Sequence, residues 1–199
     1  GGNFMDDVKV TKDLANKRLF IEFDVPASKH ETWQLFATKD GFESWWGPAG
    51  WETETTDFNF TPGGRIHYAM TCTDPAITDW YGKTSWGVMH IKGMNAEHSF
   101  TYQDFFSDKN GSLDTSLPAI IVTNEFTENS DGTTHVTSTS MADAVGHIEQ
   151  LLEMGMIKAL RAKCSACANC FSAIYFSLLR ITRLVASCTG SVSSSCDDS

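Results

Sequence analysis

Phe36-Ala-Thr-Lys-Asp-Gly-Phe-Glu-Ser-Trp-Trp-Gly-Pro48 sets two adjacent tryptophans directly ahead of Gly47 and Pro48, two residues that end a helix. Each indole brings a large apolar body and a single N–H that needs an acceptor. A pair of them at a helix end either walls an apolar cavity or plugs the end of the core. The segments on both sides say what encloses this corner.

Upstream, Arg18 to Val25 alternates at period two, with Leu19, Ile21, Phe23 and Val25 on one face, which predicts a half-buried first strand. Pro26-Ala27-Ser28 stops it. Ser28 and Glu31 have the spacing of a capping box, and Trp33, Phe36 and Ala37 form the apolar stripe of a short helix. A turn at Asp40-Gly41 leads into a second short helix, which ends in Trp45-Trp46. Downstream, Trp51 to Phe60 returns to period two, and Pro62-Gly63-Gly64 turns the chain back into Arg65 to Cys72. Further strands are expected at Thr84 to Lys92, His98 to Phe106, Ala119 to Thr127 and Thr133 to Ser140, with turn signals at Lys109-Asn110-Gly111 and Asp131-Gly132. Sequential hairpins of this kind make a meander.

After Ser140 the apolar period becomes 3.6, with Ile148, Leu151, Leu152, Met156, Ile157 and Leu160 on one side of a long helix that begins near Asp143. The expected fold class is α+β: a curved antiparallel sheet wrapped around a long C-terminal helix, with two short helices after the first strand. This domain is expected to span 18–160. Residues 1–17 read as an N-terminal segment, in part an expression remnant before Met5 and in part disordered. Residues 161–199 read as an atypical extension, in which Ile157, Leu160, Cys164, Cys167, Phe171, Ile174, Leu178, Ile181, Val185 and Cys188 alternate by threes and fours. That seam calls for a helix to about Cys188, paired with a second copy as a homodimer or packed back on the domain. The Ser-rich end, Gly190 to Ser199, reads as disordered.

Composition narrows the partners. The chain has 199 residues, enough for one sizeable core, and a formal net charge of −10 with no Lys/Arg run. Nucleic acid and anionic membrane surfaces are excluded on that charge. No secretory signal and no membrane-spanning apolar run is seen, so the expected location is cytoplasmic. Of six cysteines, Cys72 stands alone and five follow residue 163, which is no disulfide framework. The six histidines are scattered, and Cys164-x-x-Cys167-x-x-Cys170 lacks a near fourth ligand, so no metal is expected. Neither a Gly-rich phosphate loop nor Gly-x-Ser-x-Gly occurs, and no cofactor or catalytic set is expected.

The candidate binding residues are Trp45, Trp46, Phe58, Phe60, His67, Met70, Trp86, Met89, Tyr102, Met141 and Met154, all in segments that should face the space between sheet and final helix. Methionine in particular fits irregular apolar shapes. His67 and His90 would share that space with Tyr68, Tyr102 and Asp104 if their strands point them inward, and would otherwise make ordinary cross-strand pairs.

The order of elements, together with Phe23-Asp24-Val25-Pro26-Ala27, Trp33, Trp45-Trp46-Gly47-Pro48, Pro62-Gly63-Gly64-Arg65, Trp86-Gly87, Tyr102-Gln103-Asp104, Asp131-Gly132-Thr133-Thr134 and Glu153-Met154-Gly155-Met156, resembles the activator of heat-shock protein 90 ATPase homologue family. That family belongs to the helix-grip group, START-related and birch-pollen-allergen-like, also called SRPBCC. The resemblance runs from Leu19 to Leu160. It implies an apolar cavity between sheet and final helix, and non-enzymatic binding of a small apolar ligand there. It also implies two alternatives, a co-chaperone-like adaptor in stress response with a chaperone as partner, and an aromatic cyclase or hydrolase using the same cavity. The further N-terminal domain through which the eukaryotic co-chaperone contacts its chaperone is not expected here, since the sequence ahead of Leu19 is too short to hold it.

Overall fold

The computed structural model describes residues 9–47, 50–115 and 120–141. The expected helix from Asp143, its heptad seam, the cysteine-rich extension and Met154 lie outside the described residues. The elements are β1 (Lys9–Asp13), β2 (Arg18–Val25), α1 (Lys29–Ala37), α2 (Lys39–Trp45), β3 (Trp51–Phe58), β4 (Arg65–Cys72), β5 (Thr84–Asn95), β6 (Ser99–Ser107), β7 (Ile120–Glu128) and β8 (Thr134–Met141). All strands join one antiparallel sheet in the order β1-β2-β8-β7-β6-β5-β4-β3. The meander from β3 to β8 therefore comes back to the first predicted strand, with Phe23 opposite Val136 and Leu19 opposite Ser140.

Alternation gives the sheet a single apolar face. Leu19, Ile21, Phe23 and Val25 on β2, Ile66, Tyr68 and Met70 on β4, Phe100 and Tyr102 on β6, and Val122 and Phe126 on β7 are all buried there. Register shifts between Thr55 and Asp57 and between Ile91 and Gly93 mark bulges, devices that bend a sheet. The first bulge also changes phase, so Phe58 follows Thr55 onto the apolar side.

Both helices are set by their caps. The Ser28 hydroxyl accepts the Glu31 N–H at 3.3 Å and the Glu31 carboxylate accepts the Ser28 N–H at 3.0 Å, the predicted capping box. Thr38 closes α1 and opens α2: its hydroxyl donates to the Gln34 carbonyl at 2.8 Å and accepts the Gly41 N–H at 3.1 Å. Gly41 is required at this junction, because a Cβ there would lie 2.2 Å from the Gln34 carbonyl oxygen. The helices cover one end of the inner sheet face, where Trp33 and Phe36 meet Phe100 and Phe126 at centroid distances of 5.3–5.9 Å.

The sheet edges are guarded in two ways. On β3 the outward N–H of Thr55 donates to the Glu43 carboxylate at 2.6 Å, and Lys39 donates to the Thr55 carbonyl at 3.3 Å, so α2 occupies the backbone groups a further strand would need. The other edge, β1, is short and carries Lys9 and Lys12. Residues 9–13 form this strand by pairing with β2, an element that period-two reading of the sequence did not suggest. Among the described residues no helix is long and apolar enough to cross a membrane.

Candidate functional site

Trp45 and Trp46, adjacent in sequence, part company at the end of α2. Trp45 turns back onto α1, its ring 4.7 Å from Phe36 and its indole N–H donating to the Leu35 carbonyl at 2.6 Å. Trp46 stacks on Phe42 at 4.7 Å and meets Tyr68 and Tyr102 of the sheet edge-on at 5.8 and 6.3 Å. Gly47 then leaves at φ +131°, in the left-handed region that favours glycine, while the Thr53 hydroxyl holds the Trp46 carbonyl. Trp45 thus braces the helices, and Trp46 presses on the inner sheet face.

That inner face contains polar groups set in an apolar wall. The Tyr68 hydroxyl donates to the Asp104 carboxyl at 2.9 Å, reaching from β4 to β6, and Asp104 is only 5% exposed. Across the same face, Asn124 of β7 stands opposite Ser138 of β8, and Val122 opposite Ser140. All three polar residues are buried. The Ser140 hydroxyl has no hydrogen-bond partner among the described residues. Met70, Met89, Tyr102 and Trp46 supply the apolar surroundings. A phenol bonded to a carboxyl group can hold or pass a proton, but no group of side chains with metal-binding geometry accompanies it among the described residues.

Strand parity divides the expected site. Residues three apart on a strand face opposite ways, so Met70 and His67 cannot both point inward, nor can Met89 and Trp86. Met70 and Met89 take the inner face, where Met89 stands opposite Asp104. His67 and Trp86 take the outer face with their rings 5.2 Å apart, which corrects their assignment to a cavity. His67 is nonetheless 4% exposed: Thr56 bonds its Nδ1 at 2.6 Å and the Asp108 carbonyl its Nε2 at 3.2 Å, so it pins the loop after β6 to the back of the sheet. His90 is outside as well, beside Phe105 at 5.3 Å, its pKa lowered first by burial and then by Lys92 and Arg65. Met141 is a further correction. It is 42% exposed on the outer face, because Ser140 takes the inward position at the end of β8.

Phe58 and Phe60 belong to the helix end of the apolar side, Phe58 against Phe42 and Phe60 against Trp33 and Phe100. The structure adds Phe42, Asn124, Ser138 and Ser140 to the residues expected from the sequence. Thr134-His-Val-Thr-Ser-Thr-Ser140 has too little contrast between its two faces to reveal the last two. Only their pairing with Ile21 and Leu19 does so. A separate open groove of about 420 Å³ lies at the other end of β2, lined by Asp24, Pro26, Asn129, Asp131 and Thr133. There Asn129 and His135 donate to Asp24 and hold its carboxyl below its ordinary pKa.

Comparison with known proteins assigns this architecture. A crystal structure of a protein from Mycobacterium smegmatis is 28% identical and superposes with a TM-score of 0.65 over 84% of this chain and 95% of that one. Solution structures of proteins from Arthrobacter aurescens (24% identical, TM-score 0.66, 85% of this chain and 90% of that one) and Staphylococcus epidermidis (21%, 0.67, 89% and 94%) share the fold. No curated protein matches the sequence. The family model described as activator of Hsp90 ATPase homolog 1-like protein matches residues 26–163, more than half of the sequence and all of the helices and strands from α1 to β8. The chain belongs to that family.

Proposed function

We propose that the protein binds a small apolar molecule on the inner face of its sheet without transforming it. The observation that supports this most is the lodging of a few polar groups, Tyr68, Asp104, Asn124, Ser138 and Ser140, among large buried apolar side chains. Polar groups are costly to place in a wall that serves only as core, whereas ligand sites combine mostly apolar linings with a small number of orienting polar groups. Binding would draw on burial of ligand surface at roughly 25 cal/mol per Å², less the cost of association. Native mass spectrometry of freshly purified protein should show a chain mass plus a small adduct that organic extraction removes. A bare chain that also fails to bind N-phenyl-1-naphthylamine, an uncharged apolar probe, contradicts the reading.

The family description favours a second reading, an adaptor that stimulates a chaperone ATPase. Addition of the protein to purified heat-shock protein 90 would then raise the rate of ATP hydrolysis. An unchanged rate with no complex on a sizing column rejects it.

A further inference from the structure

Methionine occurs on both faces of the sheet, and the two placements have opposite chemical consequences. Met70 and Met89 are 0% and 2% exposed on the inner face, whereas Met141, the last residue of β8, is 42% exposed on the outer one. Alternation makes the difference: Ser138 and Ser140 take the inward positions of β8, and Met141 faces out. In the sheet register Met141 stands between Arg18 of β2 and Ile121 of β7, both of them exposed as well.

We propose that Met141 is a site of reversible oxidation by hydrogen peroxide, and that the folded domain tolerates the oxidised form there. In the reaction a sulfur lone pair attacks one peroxide oxygen and the O–O bond breaks. The proton of the transferred oxygen passes to the departing hydroxide, which leaves as water, and the sulfur, having given up two electrons, is a sulfoxide. A thiol-dependent methionine sulfoxide reductase reverses the step: two thiols become a disulfide and the oxygen leaves as water. Two observations carry the assignment. Peroxide reaches a side chain that is 42% exposed without any opening of the fold, while Met70 and Met89 require one. The product is polar, and at Met141 it meets water and the N–H donors of Arg18, since opposed residues on paired strands have Cβ atoms about 5 Å apart. The same oxygen on Met70 or Met89 would enter the apolar inner face and carry the penalty of burying a polar group.

Timed exposure of the full chain to hydrogen peroxide at pH 7.5, followed by digestion and peptide mass spectrometry, gives the rate at each methionine. The expected result is that Met141 gains one oxygen at least tenfold faster than Met70 or Met89. Methionine sulfoxide reductases of both stereospecificities, supplied with dithiothreitol, should then remove it. Met141→Leu, oxidised in the same way, isolates the effect on stability. The parent chain and this variant should show the same change in urea midpoint on oxidation, because the added oxygen at Met141 displaces no packed side chain. Equal or faster oxidation of Met70 or Met89 overturns the assignment, as does a Met141 that fails to react while free methionine in the same solution is consumed. A larger loss of midpoint in the parent than in the variant overturns the tolerance, and a sulfoxide that neither reductase removes overturns the reversibility.

Discussion

Removing the Tyr68 hydroxyl would take a buried hydrogen bond from Asp104 with almost no change in shape, so Tyr68→Phe isolates what that contact contributes. A buried polar group deprived of a partner costs about 1–3 kcal/mol, and urea unfolding should show a loss of that size. Unchanged stability would mean the pair is not formed in solution. His90 offers a pH test of the outer face. Its folded pKa lies below its unfolded one, so the unfolded chain binds the proton more readily, and stability should fall as pH drops through about 6.5. His90→Gln should flatten that part of the stability profile, and an identical profile would contradict the assignment. Residue types alone pointed to the inner face for Trp46, Met70, Met89 and Tyr102, and these side chains are buried there. They did not separate these from His67 and Trp86, because which side of a strand faces inward is settled by register and bulges.

At the scale of elements, the i,i+4 pair Lys39 and Glu43 performs the negative work of keeping β3 from adding another strand. Glu43→Ala should expose the Thr55 backbone and increase self-association, read as a rise in weight-average mass by sedimentation relative to the parent chain at equal concentration. A mass equal to the parent's at every concentration would show that the edge is blocked by something else. The capping box of α1 was legible because its chemistry is local: Ser28 and Glu31 sit three apart and satisfy each other. The seven strands from β2 to β8 were legible from period two. β1 was not, since Lys9-Val-Thr-Lys-Asp13 holds a single apolar residue and its pairing depends on β2. The phase change at Thr56 was equally invisible, because a bulge is a property of two paired strands.

At the scale of the molecule, the meander from β3 to β8 and the family were legible in the sequence pattern, the pairings of β2 with β1 and β8 were not, and the binding role depends on which face a ligand reaches. Asp24 ties the far end of this framework together by accepting from Asn129 and His135. Its lowered pKa contributes stability above the unfolded value near 3.9 that is lost as pH falls through the folded one. Asp24→Asn should therefore cost a few tenths of a kcal/mol at neutral pH, small because the side chain is half exposed, and nothing measurable at pH 2. The two faces of the sheet carry built-in reporters: Met70 and Met89 are buried on the inner one, and Met141 is exposed on the outer one. Methyl-labelled methionine NMR during titration with dodecan-1-ol reads them together. Ligand binding on the inner face predicts that the Met70 and Met89 methyl signals shift and saturate while Met141 stays in place; movement of Met141 alone, or of none of the three, would contradict it.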